Sequence, residues 1–276
     1  MNYVNNISIY GFLSKNYFID SDNIGLSFWK KKDKSQLCIC RNKDIIDNYN
    51  KVKLNKINYM YLDEPLNVKG EFKMEQITSI IDNTYNIDNL CRQNHKEIYE
   101  TYRKYKDKII VNTDISYIES RYDDIFDMIE TWRYADYGGM KYMWQERAGV
   151  DKSFIKRYLE NTWLQDNSLI YLFTYKDTED IIGYSVMPKV YEIENDIPMF
   201  SYMLRKCILK SDKYNLRNIT EYIDWYTFND TLRTYNFDKI LINWGCSEKG
   251  VKWYKIHKWD LYKLENKWFY NYKQNK

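Results

Sequence analysis

At 276 residues the chain holds enough material for one large domain or for two of about 100 to 170 residues. Hydrophobic residues make up 44% and charged residues 29%, which excludes the weakly apolar, highly charged regime of disordered chains. With 42 basic against 39 acidic side chains the net charge is +3, so no protein-wide field draws the chain to a polyanion and only a local basic groove is compatible with one.

The opening "MNYVNNISIYGF" lacks a basic start followed by an apolar stretch, and nowhere do about 18 apolar residues run together. No export signal and no membrane span are expected, and the reading places the protein in the cytoplasm. Cys38, Cys40, Cys91, Cys207 and Cys246 form an odd set without CxxC spacing, and the two histidines, His95 and His257, are far apart. Neither a disulfide framework nor a zinc site is signalled, so no metal is expected. The 29 tyrosines beside 9 glycines and 3 prolines follow the codon supply of an AT-rich genome, as in a low-GC bacterium, a phage or another virus. Most of those tyrosines need no functional account.

Strand-like runs come first, at "GLSFWKKK", "SQLCICRNK" and "KINYMYLDEP", and the spacing in "KMEQITSIIDNTY" predicts a helix. Residues 91–106, "CRQNHKEIYETYRKYK", carry acid and base at helical spacing, the pattern of a helix that bridges two units, and set a domain boundary near 107. Next comes a strand in "KIIVNTDIS", then a helix that places Ile125, Met128, Ile129 and Trp132 on one face. A loop with Gly138, Gly139 and Gly149 leads to a second helix from Asp151, a natural N-cap, with Phe154, Tyr158 and Leu159 inward.

Three strands follow in "SLIYLFTYK", "IIGYSVMPKVYEI" and "IPMFSYMLRKCILK", joined by short polar turns such as "DTED" and expected as an antiparallel meander. A long helix over 216–235 buries Trp225, Phe228, Leu232 and Tyr235, and "KILINWG" is apolar enough for a central strand. The end, "ILINWGCSEKGVKWYKIHKWDLYKL", reads as strand, sharp turn, short basic helix and strand.

From 107 onward this order of elements resembles the GNAT acyltransferase fold, and the final stretch resembles that family's penultimate strand, last helix and final strands. With the front segment the chain also resembles the Fem-type peptidyltransferases and related lysyltransferases, in which two GNAT-like units are fused. The resemblance implies an α+β fold, a mixed, mainly antiparallel sheet flanked by helices. It implies a degenerate GNAT-like unit over 1–106 and a working acyltransferase unit over 107–276. Donor and acceptor would meet in a wedge between splayed strands.

In that family the donor's pyrophosphate rests on main-chain N–H groups of a glycine-rich loop before the helix that follows the third meander strand. Here the matching segment, "KSDKYNLRNIT", has no glycine. Side chains of Lys210, Lys213, Arg217, Asn218 and Thr220 are the candidates to hold the donor, acyl-CoA or aminoacyl-tRNA, and the same residues also read as a solvated loop and helix start. The family's acid is commonly a tyrosine on the last helix, and Tyr254 matches it, with a packed aromatic as the bland alternative. His257, three residues on, is a candidate base or a plain surface polar residue. Glu192, Glu194 and Asp224 are the carboxylates in reach of the strands, and each reads otherwise as a rim charge.

Cys246, after a turn glycine, offers a thiol nucleophile, with no histidine at a partner offset. "YADYGGMKYMWQERAG", with Arg133, Lys141 and Arg147 among aromatics, stands where the family shapes its acceptor pocket, and reads otherwise as an aromatic cover of the core. The expected activity is transfer of an acyl or aminoacyl group to an amine or hydroxyl of a peptide, metabolite, protein or nucleobase, the last as in phage-type DNA modification. The protein is expected as a monomer or homodimer without a membrane partner. The alternative is a non-catalytic nucleic-acid or protein binding module that keeps the fold and has lost the donor site.

Overall fold

The computed structural model describes residues 17–22, 25–30, 36–39, 57–62, 71–134, 152, 155–189, 191–201, 207–208, 213–247 and 256–270. The chain divides into two compact units, one of residues 1–79, 243–257 and 261–276, the other of residues 80–242 and 258–260.

In the first unit β1 (Tyr17–Asp22), which the sequence reading did not single out, precedes the three runs read as strands, which form β2 (Gly25–Lys30), β3 (Gln36–Ile39) and β4 (Ile57–Leu62). β1 pairs with β2 and β2 with β3 in antiparallel register, whereas β3 and β4 run parallel, with Leu37 opposite Tyr59. β5 (Glu71–Asp82) is the segment whose spacing predicts a helix. It is a strand because Gln76, Ile77, Thr78 and Ser79 are all buried, so both of its faces are covered, and β-branched Ile77, Thr78, Ile80 and Ile81 favour the extended chain. Met74, Ile77 and Ile81 mimic one helical face only by coincidence of spacing. The chain's last strand, β13 (Leu261–Tyr270), lies between β4 and β5 and is antiparallel to both, with Trp268 opposite Leu62 and Leu264 opposite Ile77.

The second unit opens with a 3₁₀ turn, Asn83–Tyr85, capped by Asp82, and continues to α1 (Lys96–Tyr105) and β6 (Ile109–Asn112). α2 (Ile115–Ser120) starts at Asp114, whose carboxylate accepts from Tyr117 N–H at 2.8 Å, and α3 (Tyr122–Tyr134) buries Ile125, Met128 and Ile129 as the period requires. The next helix is two pieces rather than one: residues 155–160 are helical, and α4 (Thr162–Asn167) begins anew at Asn161, which caps Leu164 N–H. Residues 135–151, including the proposed start at Asp151, lie outside the described residues.

β7 (Ser168–Tyr175) and β8 (Ile181–Pro188) form the expected hairpin across "DTED", where Glu179 at φ 57° turns the chain and its N–H bonds to Tyr175 O at 2.7 Å. β9 (Glu192–Glu194) and β10 (Ile197–Ser201) form a second hairpin through Asn195 and Asp196, both at positive φ, the geometry of a two-residue turn that follows strand twist. The third meander strand is therefore not continuous. Its first part, β10, neighbours β9 and β12 (Lys239–Ser247), while its second part, β11 (Cys207–Ile208), joins a separate four-stranded sheet in the order β11-β8-β7-β6, antiparallel throughout.

α5 (Ile219–Tyr235) starts three residues later than the sequence suggests, after Asn218 in the left-handed region, and ends at Asn236, also left-handed. Trp225, Phe228 and Leu232 are buried as expected, but so are Glu221, Asp224, Thr227, Asn229 and Thr231 on other faces, which marks a helix enclosed on most sides. Its polar groups are satisfied inside: Thr227 donates to Ile223 O at 2.8 Å and lies 2.7 Å from Ser185 Oγ.

Candidate functional site

The segment before α5 is where the sequence places the donor's phosphates. Its main-chain donors are largely spent within the loop itself. Leu216 N–H bonds to Tyr214 O, Arg217 N–H to Asn215 Oδ1 at 3.3 Å, Ile219 N–H to Leu216 O and Glu221 N–H to Asn218 O. A glycine-rich cradle presents such donors outward, whereas this loop turns them on itself.

α1 holds the loop from the other side. The hydroxyl of Tyr105, 1% exposed, lies 2.7 Å from Arg217 O and 3.1 Å from Asn215 O and shares its one proton between them, and Lys104 Nζ donates to Arg217 O at 3.1 Å and Asn215 Oδ1 at 3.3 Å. Burial, with the charge of Glu221 as a smaller cause, raises the Tyr105 phenol far above its ordinary range, so it stays a donor at every working pH. Tyr105→Phe removes the hydroxyl that Arg217 O and Asn215 O share, leaving Arg217 O with Lys104 alone, and we expect about 1–2 kcal/mol less stability in urea titration. An unchanged midpoint would mean that the loop does not depend on the Tyr105 hydroxyl.

The candidate cations fare differently. Lys213 is exposed and tied to Asp180 at 2.5 Å, and Tyr214, stacked 4.6 Å from Tyr175, gives its hydroxyl to the same carboxylate. The hydrogen bonds that Lys213 gives to Asp180 and Tyr214 push its ammonium up to about 12, so its charge already has a partner. Arg217 is exposed, with no ion pair among the described residues, and Asn218 makes no side-chain cap, its left-handed backbone serving the turn instead. Thr220 stands half-buried in the first turn of α5. Lys104 and Lys108, not singled out in the sequence, complete this neighbourhood. Burial first, then the charges of Lys108 and Arg217, lower the Lys104 ammonium.

Of the candidate acids and bases, Glu192 sits in β9 with its backbone opposite Met199 of β10. Glu194 is half-exposed, and Asp224 is fully buried in α5. His257 is exposed and belongs to the first unit. Lys210, Tyr254 and the loop 135–149 lie outside the described residues, as do the side chains of Arg133 and Cys246.

A second cluster, in the second unit, escaped the sequence reading. Thr84 Oγ1 stands 2.6 Å from both Asp82 Oδ1 and His95 Nε2. The hydroxyl has one proton and gives it to the carboxylate, so the imidazole N–H must be the donor to Thr84. Tyr85 stacks on His95 with ring centroids 3.8 Å apart and donates its hydroxyl to Asp260 at 3.0 Å. Its carbonyl accepts from Trp225 Nε1 at 2.8 Å and Asn229 Nδ2 at 2.7 Å.

Burial lowers the pKa of His95, and the opposing pull of Asp260 and Asp82 is the smaller effect. The fold therefore favours neutral imidazole. Its contribution to stability is present above the unfolded value of about 6.5 and is lost as pH falls below it. Between pH 7.5 and 5 the thermal midpoint should drop more in the native protein than in His95→Gln, and equal slopes would remove His95 as the cause.

Among the described residues no group of His, Cys, Asp and Glu could hold a metal ion, and no helix is long and apolar enough to cross a membrane.

No protein-family model and no curated protein matches this chain. Solved structures do. A conserved protein of unknown function from Bacteroides thetaiotaomicron superposes with a TM-score of 0.56 at 13% identity, covering 98% of this chain and 91% of that one. The C-terminal domain of a candidate lysylphosphatidylglycerol synthetase from Agrobacterium fabrum gives 0.51 at 9% identity, over 96% of this chain and 86% of that one. A tandem GNAT protein from the clavulanic acid biosynthesis pathway also matches, at 0.49 and 7% identity over 96% of this chain and 87% of that one, too slight a likeness to reason from. At such identities the likeness establishes the fold alone. That fold is the expected class, α+β with mainly antiparallel sheet flanked by helices.

Proposed function

We propose that the protein is an acyl- or aminoacyl-transferase that moves its group from a thioester or tRNA-linked donor to an amine or hydroxyl. The observation that supports this most is the parting of one strand run. β10 lies beside β12, β11 lies beside β8, and among the described residues no main-chain pairing joins β11 to β12. A donor's acyl arm fits where neighbouring strands part, with its phosphates at the start of α5. The lysylphosphatidylglycerol synthetase domain named above adds a lipid-linked hydroxyl to the acceptors considered from the sequence, beside peptide amines and nucleobases.

Tyr254 is our candidate acid for the leaving group, with Glu192 or His257 as candidate base. Lys210, Lys213, Arg217, Asn218 and Thr220 are the candidate donor contacts, Lys213 the weakest of them because Asp180 neutralises it. Calorimetry with acetyl-CoA, longer acyl-CoAs and charged tRNA tests the reading, together with mass spectrometry of any nucleotide released from the purified protein. Saturable binding of one donor class supports it. Absence of heat and of protection from unfolding with all three would end it.

The second reading, a non-catalytic binding module, is favoured by the inward-turned main-chain donors of the α5 loop. Binding without turnover in the presence of mixed amine and hydroxyl acceptors would select it.

A further inference from the structure

We propose that Lys104, Lys108 and Arg217 form an anion site for a diphosphate or phosphate ester, taking over with side chains what the glycine-free loop does not offer with its backbone. The Lys104 ammonium has three N–H groups, and two of them go to Arg217 O and Asn215 Oδ1, which fixes the nitrogen against the loop. The same carbonyl is held by Tyr105, so Arg217 and the end of α1 are tied together across 112 residues of sequence. Lys108 follows Lys104 by four residues, just beyond the helix, and its carbonyl accepts from Lys176 N–H at 2.8 Å, which anchors its backbone to the start of the β7–β8 turn.

Three like charges thus share one neighbourhood, and none of the three has an ion pair among the described residues. Two of the nearby carboxylates are engaged elsewhere. Asp180 accepts from Lys213 and Tyr214, and buried Glu221 stands 3.9 Å from Lys258. Asp107 is exposed beside Lys108 in sequence. Burial is the main cause that lowers the Lys104 ammonium, and the charges of Lys108 and Arg217 add to it in the same direction. Clustering unpaired cations is unfavourable unless an anion joins them, and a diphosphate, with its multiple charges and acceptor oxygens, satisfies all three at once. The site needs side chains rather than an open backbone, which accounts for the tolerance of Asn215, Leu216 and Arg217 where a cradle would require glycine.

This rests on the start of α5 being the donor end of the protein, and the two ideas can fail separately. The test is titration calorimetry of the full chain with inorganic diphosphate at low salt, followed by coenzyme A and uncharged tRNA to distinguish the source of the phosphate. Native protein should bind diphosphate, and Lys108→Ala and Arg217→Ala should each weaken it at least tenfold. Neither side chain makes a bond to a described residue, so both variants should fold. Lys104→Ala should do the same, and Lys96→Ala, which removes an equal charge from the other end of α1, should change affinity less than twofold. No binding by native protein, or equal binding by all four variants, overturns the site while leaving acyl transfer open. Diphosphate binding that follows the expected pattern, with no donor turned over, keeps the site and ends the transferase reading.

Discussion

Replacing Trp259 by alanine will remove about 3–5 kcal/mol of stability. Trp259 is 2% exposed and stands with ring centroids 5.2 Å from Phe228 and 5.6 Å from Tyr85. An indole buries on the order of 200 Å². At about 25 cal/mol per Å² that is roughly 5 kcal/mol from transfer alone, an upper figure because the unfolded chain already hides some of this surface. Cavity formation works in the same direction, since the fully buried Phe228 ring is held by α5 and cannot follow the missing indole. Urea unfolding of the variant measures the loss. A value below about 1 kcal/mol with an unchanged slope would mean that the indole is not part of this core. The double variant with Phe228→Ala should lose less than the sum of the two single losses, because each ring is the other's partner.

The second large effect concerns chemistry. On the transferase reading proposed above, with Tyr254 as its acid, Tyr254→Phe should lower kcat by about 10²–10⁴ while leaving KM within a few-fold, the range expected when a proton donor is removed from the transition state. A phenol, with an ordinary pKa of about 10, can protonate a departing thiolate or alkoxide, and phenylalanine keeps the ring without the proton. If the loss is specific to the acid step, an activated donor with a better leaving group should recover part of the rate. Unchanged turnover in Tyr254→Phe would take this residue out of the mechanism and leave the fold untouched.

Periodicity made the α3 core face legible, because Ile125, Met128 and Ile129 answer only to local geometry. The apolar run "KILINWG" likewise announced a buried strand, and Ile240, Leu241 and Ile242 are fully enclosed. β5 was not legible, since Met74, Ile77 and Ile81 fit a helix until cover on both faces decides for a strand. The candidate site was legible only as a position in an order of elements. Its chemistry depends on contacts between distant parts of the chain, Lys104 with Arg217 and Lys213 with Asp180, and no local pattern encodes the partner of a surface lysine. Tyr85 shows the same limit, because a residue that serves Trp225, Asn229, His95 and Asp260 together reads in the sequence as one tyrosine among 29.

The chain passes between its two units after residues 79, 242, 257 and 260, so that Lys258–Asp260 is a three-residue visit to the second unit between two stretches of the first. No single cleavage can therefore release either unit whole. During synthesis the second unit cannot close before residues 258–260 are made and the first cannot close before its stretch from residue 261, so a stop upstream of residue 258 would leave both units incomplete.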